Sequence, residues 1–281
     1  MTIIRASRHR PLAAGVGMAL ALAAMAGLGG CAGVVQNPDQ HPAADHDSQL
    51  AQLLRIAERT RQGGDPAAAA SLYERAHALD PADPAPLVGL AETRVAAGAH
   101  DQAADAYRRA VALDPGSLAA RRGFARVLVA LNRPELAVQQ YRSAVALDPA
   151  DFRLHSGLGI ALDLAGNHEE AQQSYIDAME RAPDNLSLRN NLGLSLALSG
   201  EFTEAIAQLR ETAAIPGDTR LIRQNLALVL TLAGQDDQAV GVLSRDLSEQ
   251  DSFANVAYFA SLRGATGSEI AATVLGLPPA L

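Results

Sequence analysis

Cys31, in the stretch GLGGCAGVVQN, is the only cysteine in 281 residues. Its thiolate is the strongest nucleophile the chain can offer, so it is a candidate for covalent modification; a disulfide needs a second thiol. Metal chemistry has little to work with. Seven His are scattered, no Cys/His grouping has zinc spacing, and His41 and His46 lie in a Pro- and Asp-rich stretch that reads as a solvated linker. His155 falls at a helical packing position. No GxSxG, HExxH or phosphate-cradling glycine loop occurs. The expectation is a non-enzymatic protein with no cofactor and no small-molecule substrate. The side chains left for recognition are guanidinium forks and carboxamides, at Arg122, Arg126, Arg153, Asn190, Asn191, Gln224 and Asn225. Such groups suit carboxylates and the peptide backbone of a protein partner.

The elements that position them are built from small and aliphatic residues. Apolar residues make up 48% of the chain, aromatics only 4%, and there is no Trp. That suits closely packed helices better than a β-sandwich. All 23 basic residues are Arg, against 31 acids, for a formal charge of −8. A nucleic-acid backbone would be repelled at long range.

The N-terminus carries Arg5, Arg8 and Arg10, then no charge from Pro11 to Gly30. A basic segment, an apolar run and small residues at its end read as a secretory signal peptide over residues 1–30. Leu28-Gly29-Gly30-Cys31 resembles a bacterial lipobox. The resemblance implies cleavage before Cys31, a diacylglycerol on its sulfur and an N-acyl lipid on its new amine; several acyl chains anchor far better than one. An uncleaved transmembrane helix is the alternative, weakened by five glycines in an Ala-rich run; a chance cysteine after an ordinary signal is the other. Losing residues 1–30 removes three Arg and no acid, which moves the charge from −8 to −11. Ala32, where an Asp would resemble an inner-membrane retention signal, implies the outer membrane, with the protein facing the periplasm. Residues 31–48 then form a lipidated, flexible tether.

After residue 49 the chain repeats. Pro81, Pro115, Pro149 and Pro183 are 34 residues apart, as are Tyr73, Tyr107, Tyr141 and Tyr175, and likewise Ala69, Ala103, Ala137 and Ala171. A fixed period of this length marks a helical solenoid. The pattern small–x3–aromatic–x2–Ala–x4–Pro resembles the second helix of a tetratricopeptide repeat. The resemblance implies an all-α stack of helix-turn-helix units. With Pro at position 32, position 1 falls at Leu50, Pro84, Leu118, Phe152, Leu186 and Arg220, giving six repeats, the last two degenerate. Position 15 is Gly64, Gly98, Asn132, Gly166, Gly200 and Gly234, residues that tolerate a left-handed turn between helices. Position 34 supplies caps at Asp83, Ser117, Asp151, Asn185 and Thr219. The segment SFANVAYFASLRG reads as a capping helix, so the solenoid spans 49–263, followed by a tail over 264–281 with a short helix from Ser268.

In such repeats the first helix lines the concave face. Its positions 2, 5, 6, 9 and 12 are expected to be exposed there, which gathers the seven recognition residues into one groove. The closing part of the chain, with NLALVL at 225–230, Arg245-Asp246-Leu247 and Asn255-Val256-Ala257-Tyr258, resembles the Flp (tight-adherence) pilus assembly lipoprotein of the TadD type. That resemblance implies an outer-membrane scaffold that assists a secretin or another pilus-assembly component. Pilotin-like lipoproteins of type IV pili and adaptor lipoproteins for peptidoglycan enzymes are the alternatives. Replacing Cys31 by Ser is expected to abolish metabolic palmitate labelling and release the protein from outer-membrane fractions. Labelling that persists in that variant would contradict the lipid assignment.

Overall fold

A computed structural model describes residues 42–217 and 219–277. The segment read as a signal peptide, Cys31 and the first part of the tether lie outside those residues. The described chain is helical throughout. Six pairs follow in order: α1 (Pro42–Gln62) with α2 (Pro66–Leu79), α3 (Ala85–Ala96) with α4 (His100–Leu113), and α5 (Leu118–Ala130) with α6 (Pro134–Leu147). Then come α7 (Phe152–Leu164) with α8 (His168–Arg181), α9 (Leu186–Leu198) with α10 (Phe202–Ala214), and α11 (Arg220–Leu232) with α12 (Asp236–Leu243). α13 (Glu249–Ala260) and α14 (Gly267–Leu275) complete the chain.

The turns form where the 34-residue frame puts them. Gly64, Gly98, Gly166, Gly200 and Gly234 all have positive φ, and Asn132, at φ 51°, is the one non-glycine among the described residues to do so. The caps hold as well. Ser117, Asp151 and Asn185 each accept a backbone N–H of the following helix, and Asp83 accepts that of Ala85. Thr219 departs from the pattern: its hydroxyl donates backward to Ala213 O instead.

The repeats lock through one recurring contact. Tyr73, Tyr107 and Tyr141 are buried, each facing a glycine at position 6 of the next repeat. A Cβ on Gly89, Gly123 or Gly157 would come within 2.3–2.4 Å of that ring, closer than real atoms approach. The alanines at positions 20 and 27 are fully buried, which allows the paired helices to close on one another. Tyr175 faces Gly159 of its own repeat, and Leu209 faces Gly193 in the same way.

Among the described residues, successive odd-numbered helices approach closely along their backbones, whereas even-numbered ones are bridged by long side chains, as in Arg109–His77, Arg142–Glu170 and Arg210–Gln238. The stack therefore curls with α1, α3, α5, α7, α9 and α11 on its inner side. α13 packs on α11 and α12 and closes the apolar end, with Val256 buried and Phe259 against the core. One boundary differs from the sequence reading, at the tether, while the short helix expected in the tail is present. Residues 42–48 belong to α1 and not to the tether, and His46 is tied to Leu79 O at 3.0 Å. The tail forms α14, which starts at Gly267 behind a capping box of Thr266 and Glu269.

Gly157→Ala, Ala137→Leu and Ala171→Leu should each lower unfolding free energy by about 1–3 kcal/mol, the usual cost of overpacking a filled site. Gly241→Ala, with nothing within 4 Å of its added methyl, should raise it by about 0.5–1 kcal/mol. Urea denaturation followed by circular dichroism measures both. Equal effects at Gly157 and Gly241 would refute the packing frame.

Candidate functional site: the concave face

Position 9 of each repeat points into the concave face and changes in character along the stack. It is Glu58, Glu92, Arg126, Ile160, Leu194 and Leu228. The inner surface is therefore acidic at its start, basic in the middle and aliphatic at its end.

At the acidic end Arg61 binds Glu58 at 2.6 Å and approaches Glu92 at 3.7 Å, while the Tyr73 hydroxyl donates to Glu58. The Arg61 guanidinium holds the Glu58 carboxyl down at about 2, so these charges are largely spent on one another.

The basic middle is different. Arg122, Arg126 and Arg153 line one cavity of about 510 Å³ with Tyr141, Phe152, Ile160 and Leu188. Arg122 lies 3.8 Å and Arg153 3.6 Å from Asp151, whose carboxylate also caps α7. Their side chains remain 45% and 70% exposed, so most of their hydrogen-bonding capacity faces solvent. Arg126 makes no ion pair among the described residues. Burial pushes the Tyr141 hydroxyl up to about 12, opposed by Arg126 and Arg122. Three guanidinium groups thus lie beside the rings of Tyr141 and Phe152, and guanidinium forks are chemically suited to carboxylates.

The aliphatic end is covered. α14 packs on α7 and α9, with Ile270 and Ala271 buried. Gly267 sits so close that a Cβ would lie 2.3 Å from His168 Nε2 and 2.6 Å from Leu198 O. At its other end Leu275 shares the arginine-lined cavity with Phe152 and Leu188. α14 thus runs antiparallel to α7 and α9. A smaller cavity of about 70 Å³ remains between it and Ile160, Leu194, Leu228 and Leu232.

Beneath α14 lies a buried polar cluster. Asp163 accepts hydrogen bonds from Ser195 Oγ at 2.7 Å and Tyr175 Oη at 3.0 Å, and pairs with His168 Nδ1 at 3.0 Å. Burial pushes the Asp163 carboxyl above its ordinary value against the pull of these three partners. Ser195 and His168 both address Asp163, so the serine hydroxyl has no imidazole base and the trio is no nucleophilic triad. It ties α7, α8 and α9 together under α14.

Of the seven residues expected in the groove, Arg122, Arg126 and Arg153 line the same cavity. Asn191 lines the small cavity under α14, and Gln224 is half-buried. Asn190 and Asn225 are corrected: they are 5% and 8% exposed, and Asn225 Nδ2 donates to Asn190 Oδ1 at 2.8 Å. Their amides join α9 to α11 below the surface. Position 6 is not exposed as expected, because in repeats two to four it is the glycine that receives the tyrosine. Asp163, His168 and the covering role of α14 escaped the sequence reading. The signal that could have found them was the aliphatic run Ile160, Leu194, Leu228 at a position polar in the first three repeats.

Family models of the tetratricopeptide repeat match residues 61–105, 94–159 and 165–219. The chain belongs to the tetratricopeptide-repeat family. No curated protein matches it. Among solved structures it is similar to a tetratricopeptide repeat protein from Parabacteroides merdae, with 15% identity, TM-score 0.67, and 82% of this chain and 98% of that one covered. It is also similar to PilF of Pseudomonas aeruginosa, with 17% identity, TM-score 0.57, and 75% and 98% covered. YrrB, described as a TPR protein with an unusual peptide-binding site, aligns at 18% identity and TM-score 0.52, over 68% and 98%. These likenesses bear on the fold, a solenoid of tetratricopeptide repeats.

A folded-state pKa raised above the ordinary carboxyl value of 3.8 means the native state holds the Asp163 proton more tightly than the unfolded chain. Its stabilising share is full below that value and is lost as pH rises through the folded one. Asp163→Asn should therefore show a smaller fall in melting temperature than wild type as pH rises above about 4. Parallel pH profiles would contradict this.

Proposed function

We propose that this protein is a lipid-anchored scaffold whose concave face captures a peptide segment of a partner protein, in the assembly of a Flp-type pilus. The observation that carries the binding role is the convergence of Arg122, Arg126 and Arg153 on one aromatic-lined cavity in a chain of net negative charge. A partner carboxylate gains forked, charge-assisted hydrogen bonds there. The pilus assignment rests on the resemblance of residues 225–258 to the tight-adherence lipoprotein, with a secretin or another assembly component as partner. Anchoring rests on the lipobox at Leu28–Cys31, which would place the solenoid at the periplasmic face of the outer membrane.

The triple variant Arg122→Glu, Arg126→Glu, Arg153→Glu should abolish capture of the secretin from detergent-solubilised membranes. Its melting temperature should stay near wild type, because exposed charges contribute little to folding. Wild-type capture should weaken as salt rises. Unchanged capture by the triple variant at the same salt would rule out this face.

A further inference from the structure

The groove already holds a helix of this chain, and that helix is a template for what else fits. α14 presents Ile270, Ala271, Val274 and Leu275 along one side, at i, i+1, i+4 and i+5, toward Ile160, Leu194 and Leu228. Its seat is tight at one end, where Gly267 meets His168 and Leu198, and open at the other, where Leu275 borders the arginine-lined cavity. Within α14 the one acid, Glu269, is engaged with Thr266 at the opposite end and cannot serve the arginines. The apolar half of the groove is thus occupied from within, while the basic half beside it receives no carboxylate from α14.

Three features make α14 a replaceable occupant. It has only nine residues, too few to be a stable helix on its own, so its order comes from the groove. It joins α13 through residues 261–266, which include Gly264 at φ 93°. The stack is already closed by α13, so the solenoid does not need α14 to cover its end. The surface under it is fixed without it, because Asp163 with Ser195, His168 and Tyr175 ties α7, α8 and α9.

We propose that α14 is an intramolecular competitor for the concave groove, and that the external ligand is an amphipathic helix of a partner protein. That helix would carry small and aliphatic residues at i, i+1, i+4 and i+5, followed within a turn or two by acidic residues. The apolar residues replace α14 on Ile160, Leu194 and Leu228. The acids take Arg122, Arg126 and Arg153, an interaction α14 does not make, and this difference lets the partner win. A tethered helix acts at an effective concentration on the order of mM, so weak apolar-only segments are excluded and charged ones admitted. The inference rests on the reading of the concave face as a binding surface.

The test uses the full-length protein in detergent and two labelled peptides, residues 264–277 with and without three Glu appended, followed by fluorescence anisotropy. The double variant Gly267→Val, Ala271→Asp unseats α14 without changing a groove residue. It should bind both peptides about tenfold or more tightly than wild type. Ile270→Ala, a milder change, should give an intermediate gain. The acidic peptide should bind several-fold better than the plain one at low salt, and Arg122→Glu with Arg126→Glu should erase that advantage alone. A circular dichroism melt within a few degrees of wild type shows that the solenoid stays folded in each variant. Folded variants that gain no affinity overturn the competitor role, even if the arginine triple variant still loses the secretin, which would leave the binding face standing. Dimerisation of the double variant without peptide binding overturns it in favour of a second copy of this chain as the occupant. Loss of neither peptide nor secretin on charge reversal removes the binding face itself.

Discussion

The stack depends on a ring set against a missing side chain. Tyr73, Tyr107 and Tyr141 occupy the space that a Cβ at Gly89, Gly123 and Gly157 would claim, so neither partner can change alone. Because the contact joins the second helix of one repeat to the first helix of the next, it fixes the step between repeats, and repetition of the step makes the curl. The cost is two position-specific demands per repeat in a chain otherwise built from interchangeable alanines and leucines. The gain is a concave wall of first helices whose outward-facing positions are left free to vary.

That freedom is used unevenly. At position 9 the wall passes from Glu58 and Glu92 through Arg126 to Ile160, Leu194 and Leu228. The acidic end neutralises itself with Arg61, the aliphatic end is covered by α14, and the arginines between them stay exposed. The position of the facing glycine changes at the same place. Tyr175 turns to Gly159 of its own repeat and sends its hydroxyl to Asp163, while asparagines replace glycine at position 6 in the following repeats. A buried carboxylate is costly unless several donors hold it, and here three groups from two helices do so where α14 rests. The polar cluster and the covering helix belong to one local solution.

Most of the fold was legible because the repeat enforces it. Prolines, tyrosines, alanines and left-handed turn residues recur at fixed intervals, and each has a backbone or steric reason to be there. The arginine cluster was legible for the same reason, since the frame assigns Arg122, Arg126 and Arg153 to one face. Asn190 and Asn225 were misjudged because exposure was assigned by position number alone; Asn190, at position 5, and Asn225, at position 6 of the next repeat, bond each other below the surface. α14 was readable as a helix and not as an occupant of the groove. Its docking depends on a contact between residues more than a hundred positions apart, which no local period encodes. The place of residues 42–48 in α1 was missed because composition argued for a linker, whereas the anchor is the distant carbonyl of Leu79.

Hydrogen exchange along α14 bears most directly on the claim that the groove holds a replaceable helix of its own. Amides of residues 270–275 should exchange through a local opening, well before those in the centres of α7 and α9, which open only with the whole stack. Protection of α14 equal to that of α7, with both lost together at the global unfolding free energy, would make it a fixed part of the solenoid core and contradict the account.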